Sequence, residues 1–307
     1  MNKNVLVKLM LLAAAVMWGF SFVVMPGVLK EVSVLWFLAV RFSVTALLLA
    51  AVFFKKLKKI NKSYLLHSLI SGTVLFGGYI FQTTGIMHTT PGNNAFLTTV
   101  YCVVVPFLFW AFAKKKPDRF NVIAAVVCIA GIGFVSVTEG FAGVNVGDML
   151  TLVCGVLFAF HIVSLSIFGK EKDPVVFAVL QFAVFGILAW TAILIFNAFS
   201  IEALNGFYAT PSFADWNIML VLRILYFVVC CSAVGFIFQA YAQKHVNPSS
   251  ASLIISTEAV FGVIFSIMFG MELMTVFKAV GFGLIFFAII ISETKLSFLK
   301  RKRLLEP

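Results

Sequence analysis

Three ionisable side chains, Arg41, Arg223 and Glu258, stand within long apolar stretches of this 307-residue sequence. A charge at the centre of a membrane-crossing helix costs about 2.5 to 3.5 kcal/mol on insertion scales, so each such residue needs a partner, a wet cavity or a task. At a rise of about 1.5 Å per residue, Glu258 lies some 13 to 14 Å past the helix start expected at Pro248, near the middle of a hydrocarbon core about 30 Å thick. A carboxyl group there is suited to binding a substrate ammonium group or to exchanging a proton with the two faces. The competing reading is structural: an ion pair with Arg41 or Arg223, or a carboxylic acid bonded to Thr257 or Ser256. Arg41, about 12 Å in from its helix end, is suited to docking a substrate carboxylate, or else to a gate or a pair with a loop acid. Arg223 falls nearer a rim, from which its side chain reaches headgroups or the adjacent loop. His161, near the middle of its apolar stretch, reads as a proton carrier or substrate ligand, or as a hydrogen-bonded packing residue.

These residues belong to a duplicated chain. Residues 78–91 read GYIFQTTGIMHTTP and residues 235–248 read GFIFQAYAQKHVNP, with six identities, where unrelated segments of average composition share roughly one or two. At this offset of 157, Gln82 pairs with Gln239 and Tyr101 with Glu258; at an offset of 140, Trp18 pairs with Phe158, Ser21 with His161 and Arg41 with Gln181. The glutamines either bond across the repeat interface or contact a solute, because amides are expensive to leave unpaired in hydrocarbon. Trp18, in mid-stretch instead of an interfacial belt, suits a platform for an apolar or cationic group. The candidate solute-binding set is therefore Trp18, Ser21, Arg41, Gln82, Tyr101, Phe158, His161, Gln181, Gln239 and Glu258, with Glu258 and His161 as proton-coupling candidates. No metal-ligand spacing or cofactor motif joins them, and no GxxxxGK[ST] sequence supplies ATP.

The elements that must hold these groups are membrane helices. A chain with 62% hydrophobic and 11% charged residues is too apolar for a soluble globular protein, whose apolar share is about 45 to 50%. Ten stretches are long enough to cross hydrocarbon: 5–25, 33–54, 64–87, 91–113, 119–138, 147–168, 174–198, 216–243, 248–270 and 273–293. The fold class is an all-α polytopic membrane protein, with a first five-helix repeat over 1–140, a second over 141–295 and a basic cytoplasmic tail over 296–307. An odd helix number makes the second repeat enter from the opposite face, so the repeats are inverted, and exchanging their tilts opens a midplane site to either side. The first stretch has Lys3 and Lys8 near its start, but no small-x-small cleavage site follows it, so it is expected to be retained as a helix. Basic clusters at 55–62, 114–119 and 295–303, with Lys170, Lys172 and Lys244, share one face when both termini are cytoplasmic. Glu139, Asp148, Glu202, Asp215 and Glu272 fall on the other, and this asymmetry accounts for the net charge of +11 without nucleic acid. Pro91 and Pro248 suit helix starts, whereas Pro106 is expected to kink its helix and act as a hinge.

With these features the chain resembles the drug/metabolite transporter superfamily, and within it the EamA-type transporters. The resemblance rests on the run Trp18-Gly19-Phe20-Ser21-Phe22, Arg41 in the second helix, Pro91 and Pro248, and Thr257-Glu258-Ala259-Val260-Phe261 followed by Gly270-Met271-Glu272. It departs from the family pattern at Ala259, where proline is common, and at Ala113-Lys114-Lys115, where the first repeat usually ends its fourth helix in glycine-glutamate. The resemblance implies an inner-membrane secondary transporter of a small organic solute, such as an amino acid, amine or related metabolite or drug, commonly an exporter. Without an ATP-binding sequence, coupling is expected to a proton or solute gradient, or transport by facilitated diffusion, and the expected form is a monomer or homodimer. An intramembrane lipid-modifying enzyme, with His161 or Glu258 as acid or base, and a passive channel are the alternatives.

Overall fold

Apolar runs of about 20 residues leave backbone N–H and C=O groups with no water to bond, and a helix satisfies them internally. The computed structural model describes residues 3–114, 116–136, 145–199, 205–212, 216–246 and 248–295, and every regular element among them is a helix. In order these are α1 (Lys3–Leu29), α2 (Val34–Val52), a 3-10 segment (Phe54–Lys59), α3 (Lys62–Gly85), α4 (Pro91–Thr98), α5 (Tyr101–Ala113), α6 (Arg119–Ser136), α7 (Val146–Phe168) and α8 (Pro174–Ala198). The short α9 (Asn205–Tyr208) precedes α10 (Ile218–Tyr226), which runs through a π-helical segment (Phe227–Val234) into α11 (Gly235–Gln243), followed by α12 (Pro248–Met268) and α13 (Val276–Thr294). Among the described residues seven spans are long and apolar enough to cross a membrane, counting α4 with α5 and α10 with α11 as one each. Three shorter apolar helical runs lie in α6, α12 and α13. The protein is a multi-pass membrane protein. The basic tail, the boundary placed between residues 140 and 141, and Lys115, Glu139, Glu202 and Asp215 lie outside the described residues.

Helix starts follow local chemistry. Side chains of Asn61, Thr90, Asn145, Asp173, Asn217 and Thr275 each accept a backbone N–H from the first turn that follows, and Pro91 and Pro174 occupy first-turn positions. Two spans are irregular. Between α4 and α5 the bonds Cys102 N–H to Thr99 O and Val103 N–H to Val100 O tighten the chain to a three-residue repeat. The kink expected at Pro106 is thus displaced: α5 continues through Pro106, and the irregularity comes about one turn earlier. A proline withdraws the bond to the carbonyl four residues before it and crowds that carbonyl, so the preceding turn absorbs the distortion. The π segment contains neither proline nor glycine, and nothing in its sequence foretold it.

Helix α1 packs on α12 and on α10–α11, α7 packs on α4–α5 and on α3, α2 lies against α8, and α6 against α13. Ion pairs secure the helix ends: Lys56 and Lys59 reach Asp173, Lys295 reaches Asp118, and Arg223 reaches Glu31. Arg223 also donates to the Gly27 carbonyl, so its side chain reaches the loop acid. Glu272, expected as a loop acid, is buried; Lys278 donates to its Oε1 at 2.5 Å, and the Gly92 N–H at the start of α4 donates to its Oε2 at 3.1 Å.

Candidate functional site

Trp18, Ser21, Arg41, Gln82, Tyr101, Phe158, His161, Gln239 and Glu258 all line one cavity between α1, α2, α3, α5, α7, α11 and α12. Gln181 stands behind this wall, its Oε1 bonded to His161 Nε2 at 3.0 Å. The cavity is small, about 50 Å³.

The two charged side chains face this space without touching each other. Tyr101 is buried and donates its hydroxyl to Glu258 Oε1 at 2.9 Å, so the repeat partners meet across the molecule. One carboxylate oxygen is thereby held, and the Glu258 side chain lines the cavity. Thr257 donates to the Ile254 carbonyl instead, and no salt bridge among the described residues joins Glu258 to Arg41 or Arg223. Arg41, only 1% exposed, donates Nε to Ser232 Oγ at 2.8 Å and Nη2 to the Tyr79 hydroxyl at 3.4 Å. Its guanidinium carbon lies 4.9, 4.7 and 5.0 Å from the ring centroids of Phe42, Tyr79 and Phe227. Aromatic faces and hydroxyls therefore do the work that a counter-ion would otherwise do.

Two of these supports, Ser232 and Phe227, belong to the π segment, as does Cys231, whose carbonyl accepts the Trp18 indole N–H at 2.8 Å. A π turn is wider than an α turn and re-aims backbone and side chains, which is why such segments gather at functional sites.

Repeat glycines position the two aromatic walls. A methyl group on Gly78 would stand 2.6 Å from the Phe158 ring, and one on Gly235 would stand 2.9 Å from Trp18 Nε1. Trp18 and Phe158 are themselves repeat partners, so each half lays its aromatic residue on the other half's glycine, and only glycine permits that approach.

The polar groups are unevenly satisfied. Ser21 Oγ donates to the Trp18 carbonyl within its own helix. Gln82 Nε2 donates to Thr98 Oγ1 at 3.3 Å, a bond within the first half. Gln239 Oε1 and Gln181 Nε2 are buried with no hydrogen-bond partner among the described residues. A buried orphan amide costs about 1 to 3 kcal/mol, which a polar ligand or water in the cavity relieves.

Tyr79, Phe236 and Ser232 belong to the site but escaped the sequence reading. For the first two a signal existed, since an aromatic residue follows the repeated glycine in both copies, as Gly78-Tyr79 and Gly235-Phe236. Phe236 packs edge-on against Trp18, His161 and Phe182. Ser232 had no such signal.

A cavity with a carboxyl group, a guanidinium, aromatic walls and an unpaired amide is equipped to hold a small molecule that carries both an ammonium and a carboxylate group. Comparison with known proteins bears on the family and not on the solute. The sequence model of the EamA-like transporter family matches residues 6–137 and again residues 145–294. Two proteins of Archaeoglobus fulgidus named as uncharacterized transporters are similar to the chain. One is 29% identical over 94% of this chain and 86% of its own length, the other 26% identical over 89% and 92%. A solved crystal structure superposes with a TM-score of 0.68 at 15% identity, over 98% of this chain and 99% of that one, which establishes likeness of fold alone.

Proposed function

We propose that this chain, which belongs to the EamA-like transporter family, is a secondary transporter that exports a small organic solute by alternating access. The observation that carries the reading is that Arg41 and Glu258, opposite charges, line one cavity and are each held by neutral partners instead of each other. Two buried charges left apart at such cost await a ligand that completes both. The solute class is an amino acid or a related amine-bearing metabolite: carboxylate toward Arg41, ammonium toward Glu258, side chain against Trp18 and Phe158. Trp18, Ser21, Gln82, Tyr101, His161, Gln181 and Gln239 complete the proposed site, and Glu258 with His161 carries the proton coupling.

Ten spans in two inverted repeats, 1–140 and 141–295 with a basic tail at 296–307, are the architecture that we infer. Supporting it are the two successive family matches and the reciprocal packing of Trp18 on Gly235 and Phe158 on Gly78. The pairing of α1 with α12 and α10–α11 is likewise exchanged, in the other half, for that of α7 with α4–α5 and α3. The lysine distribution supports cytoplasmic termini in a bacterial-type inner membrane. Small-molecule sites enclose about 300 to 1,000 Å³, so a cavity of about 50 Å³ belongs to a contracted conformation that must open to load. The tightened turn before Tyr101 and the π segment are the places where helices beside the cavity can bend.

The test compares the medium around cells producing the protein with that around cells producing Glu258→Gln at matched membrane levels. An amine-bearing metabolite released by the first and not the second is the expected result. Its absence in both, together with no saturable counterflow of amino acids in proteoliposomes, overturns the reading.

A further inference from the structure

A second and much larger cavity lies apart from the first. It is a groove of about 730 Å³ between α1, α10 and the end of α12. Phe20, Val24, Leu222 and Phe269 supply apolar walls, and Lys30 and Arg223 stand at one end. Leu222 is 53% and Phe269 56% exposed, so the groove opens onto the apolar surface that faces hydrocarbon, not into an aqueous vestibule. From Phe20 to Lys30 is ten residues of helix, or about 15 Å, which is half of a hydrocarbon core about 30 Å thick. The groove is therefore one leaflet deep, and its charged end falls at headgroup level.

Its charge has a definite sign. Glu31, the acid at the mouth, has both oxygens engaged, Oε1 by Arg223 Nη1 at 2.9 Å and Oε2 by Asn217 Nδ2 at 2.6 Å. Arg223 and Glu31 cancel, Lys30 is exposed and in surplus, and the Arg223 side chain keeps 31% of its surface open. An apolar slot one leaflet deep with a net cation at its rim complements a single amphiphile, an acyl chain below a phosphate. We propose that this groove is a binding site for one anionic phospholipid of the surrounding leaflet, its chain along Phe20, Val24 and Leu222 and its phosphate at Lys30 and Arg223. The inner end of the groove abuts Tyr226, whose hydroxyl donates to the Met17 carbonyl next to Trp18. A lipid seated there braces the wall between the membrane and the central cavity, where α1 and α10 meet.

The experiment uses full-length protein, stripped of lipid in detergent, titrated with phosphatidylglycerol or with phosphatidylcholine of the same chains and read by native mass spectrometry. One phosphatidylglycerol retained per chain, in preference to phosphatidylcholine, is expected. A cation near a headgroup contributes about fivefold, so Lys30→Gln lowers the preference by about that factor. Leu222→Trp, at a half-exposed position where the larger ring fits without disturbing the core, narrows the groove and weakens retention of both lipids; thermal unfolding checks that each variant folds. Lys55→Gln, in the 3-10 segment near the opposite helix ends, leaves binding unchanged. Equal retention of the two lipids, or loss of phosphatidylglycerol on Lys55→Gln but not on Lys30→Gln, overturns the proposal. Displacement of the lipid by a free amino acid also overturns it, because the groove is then part of the solute path.

Discussion

Substituting Glu258 by glutamine separates recognition from folding. The amide keeps the shape of the side chain, and its oxygen still accepts the Tyr101 hydroxyl now bonded at 2.9 Å, so stability in detergent should change by no more than about 1 kcal/mol. What disappears is the charge offered to a solute ammonium. A hydrogen bond to a charged group contributes about 1.5 to 3 kcal/mol, so affinity for an amine-bearing solute should fall roughly 10- to 150-fold. Arg41→Met makes the opposite cut: it removes the cation and leaves an unbranched apolar side chain among the rings of Phe42, Tyr79 and Phe227. The assay takes the amino acid that most stabilises the wild-type protein and compares it with its deaminated and decarboxylated analogues, each competing for counterflow in proteoliposomes. Glu258→Gln should weaken the amino acid and the amine while sparing the deaminated acid, and Arg41→Met should weaken the amino acid and the acid while sparing the amine. If both variants weaken all three compounds by the same factor, the two charges support the cavity's shape and do not read the solute.

Gly235→Ala should damage the protein more than Gly78→Ala, although its added carbon stands farther from its neighbour, 2.9 against 2.6 Å. The Trp18 indole is pinned through Nε1 to the Cys231 carbonyl and cannot swing away, so overpacking of about 1 to 3 kcal/mol is expected there, read as a lower unfolding temperature and lost transport. Glu272→Gln leaves Lys278 buried without its counter-ion and should cost about 3 to 5 kcal/mol; combined with Lys278→Met it should cost less than alone, as thermal unfolding of both variants will tell. At the helix ends, burial opposes ionisation of Asp173, but the hydrogen bond from Lys59 and the charge of Lys56 outweigh it and hold its carboxyl below the usual carboxylate range. A depressed carboxyl pKa contributes stability that is complete above the unfolded value, about 4, and is lost as pH falls through the folded one. Unfolding temperature measured from pH 6 downward should therefore drop more steeply in the wild type than in Asp173→Asn.

Much of the site was legible because the bilayer restricts what a sequence can contain. In hydrocarbon a charge must be explained, so Arg41 and Glu258 announce themselves, and the repeat then points to Gln181 and Tyr101 as their counterparts. The burial of Glu272 was not legible: its neighbours read as a loop, and only the packing of α13 and α4 brings Lys278 and the Gly92 N–H to it. The π segment was hidden for a different reason. Its residues, FVVCCSAV, are apolar and small, compatible with any helical winding, and the wider turn is selected by tertiary partners: Arg41 on Ser232, Trp18 on the Cys231 carbonyl and Thr45 on the Val228 carbonyl.

On the proposed reading, the positions that the two halves keep alike and those at which they differ have different tasks. Gly78 with Gly235, Gln82 with Gln239 and Pro91 with Pro248 are identical, as exchange of conformation between the halves requires, since each must be able to adopt the other's packing. Trp18 faces Phe158, Ser21 faces His161, Arg41 faces Gln181 and Tyr101 faces Glu258, so apart from the two glutamines the pairs at and just behind the cavity wall diverge in size, polarity and charge. A two-fold cavity lined by identical residues would present the same charge at both ends and would hold a solute in either of two orientations. With the cation from one half and the anion from the other, the cavity has a direction, and a solute bearing one charge at each end binds in one orientation throughout the cycle. The backbone can then rock symmetrically while recognition stays asymmetric, which is why a duplicated transporter is expected to preserve its glycines and prolines across the repeat and to differentiate its charges.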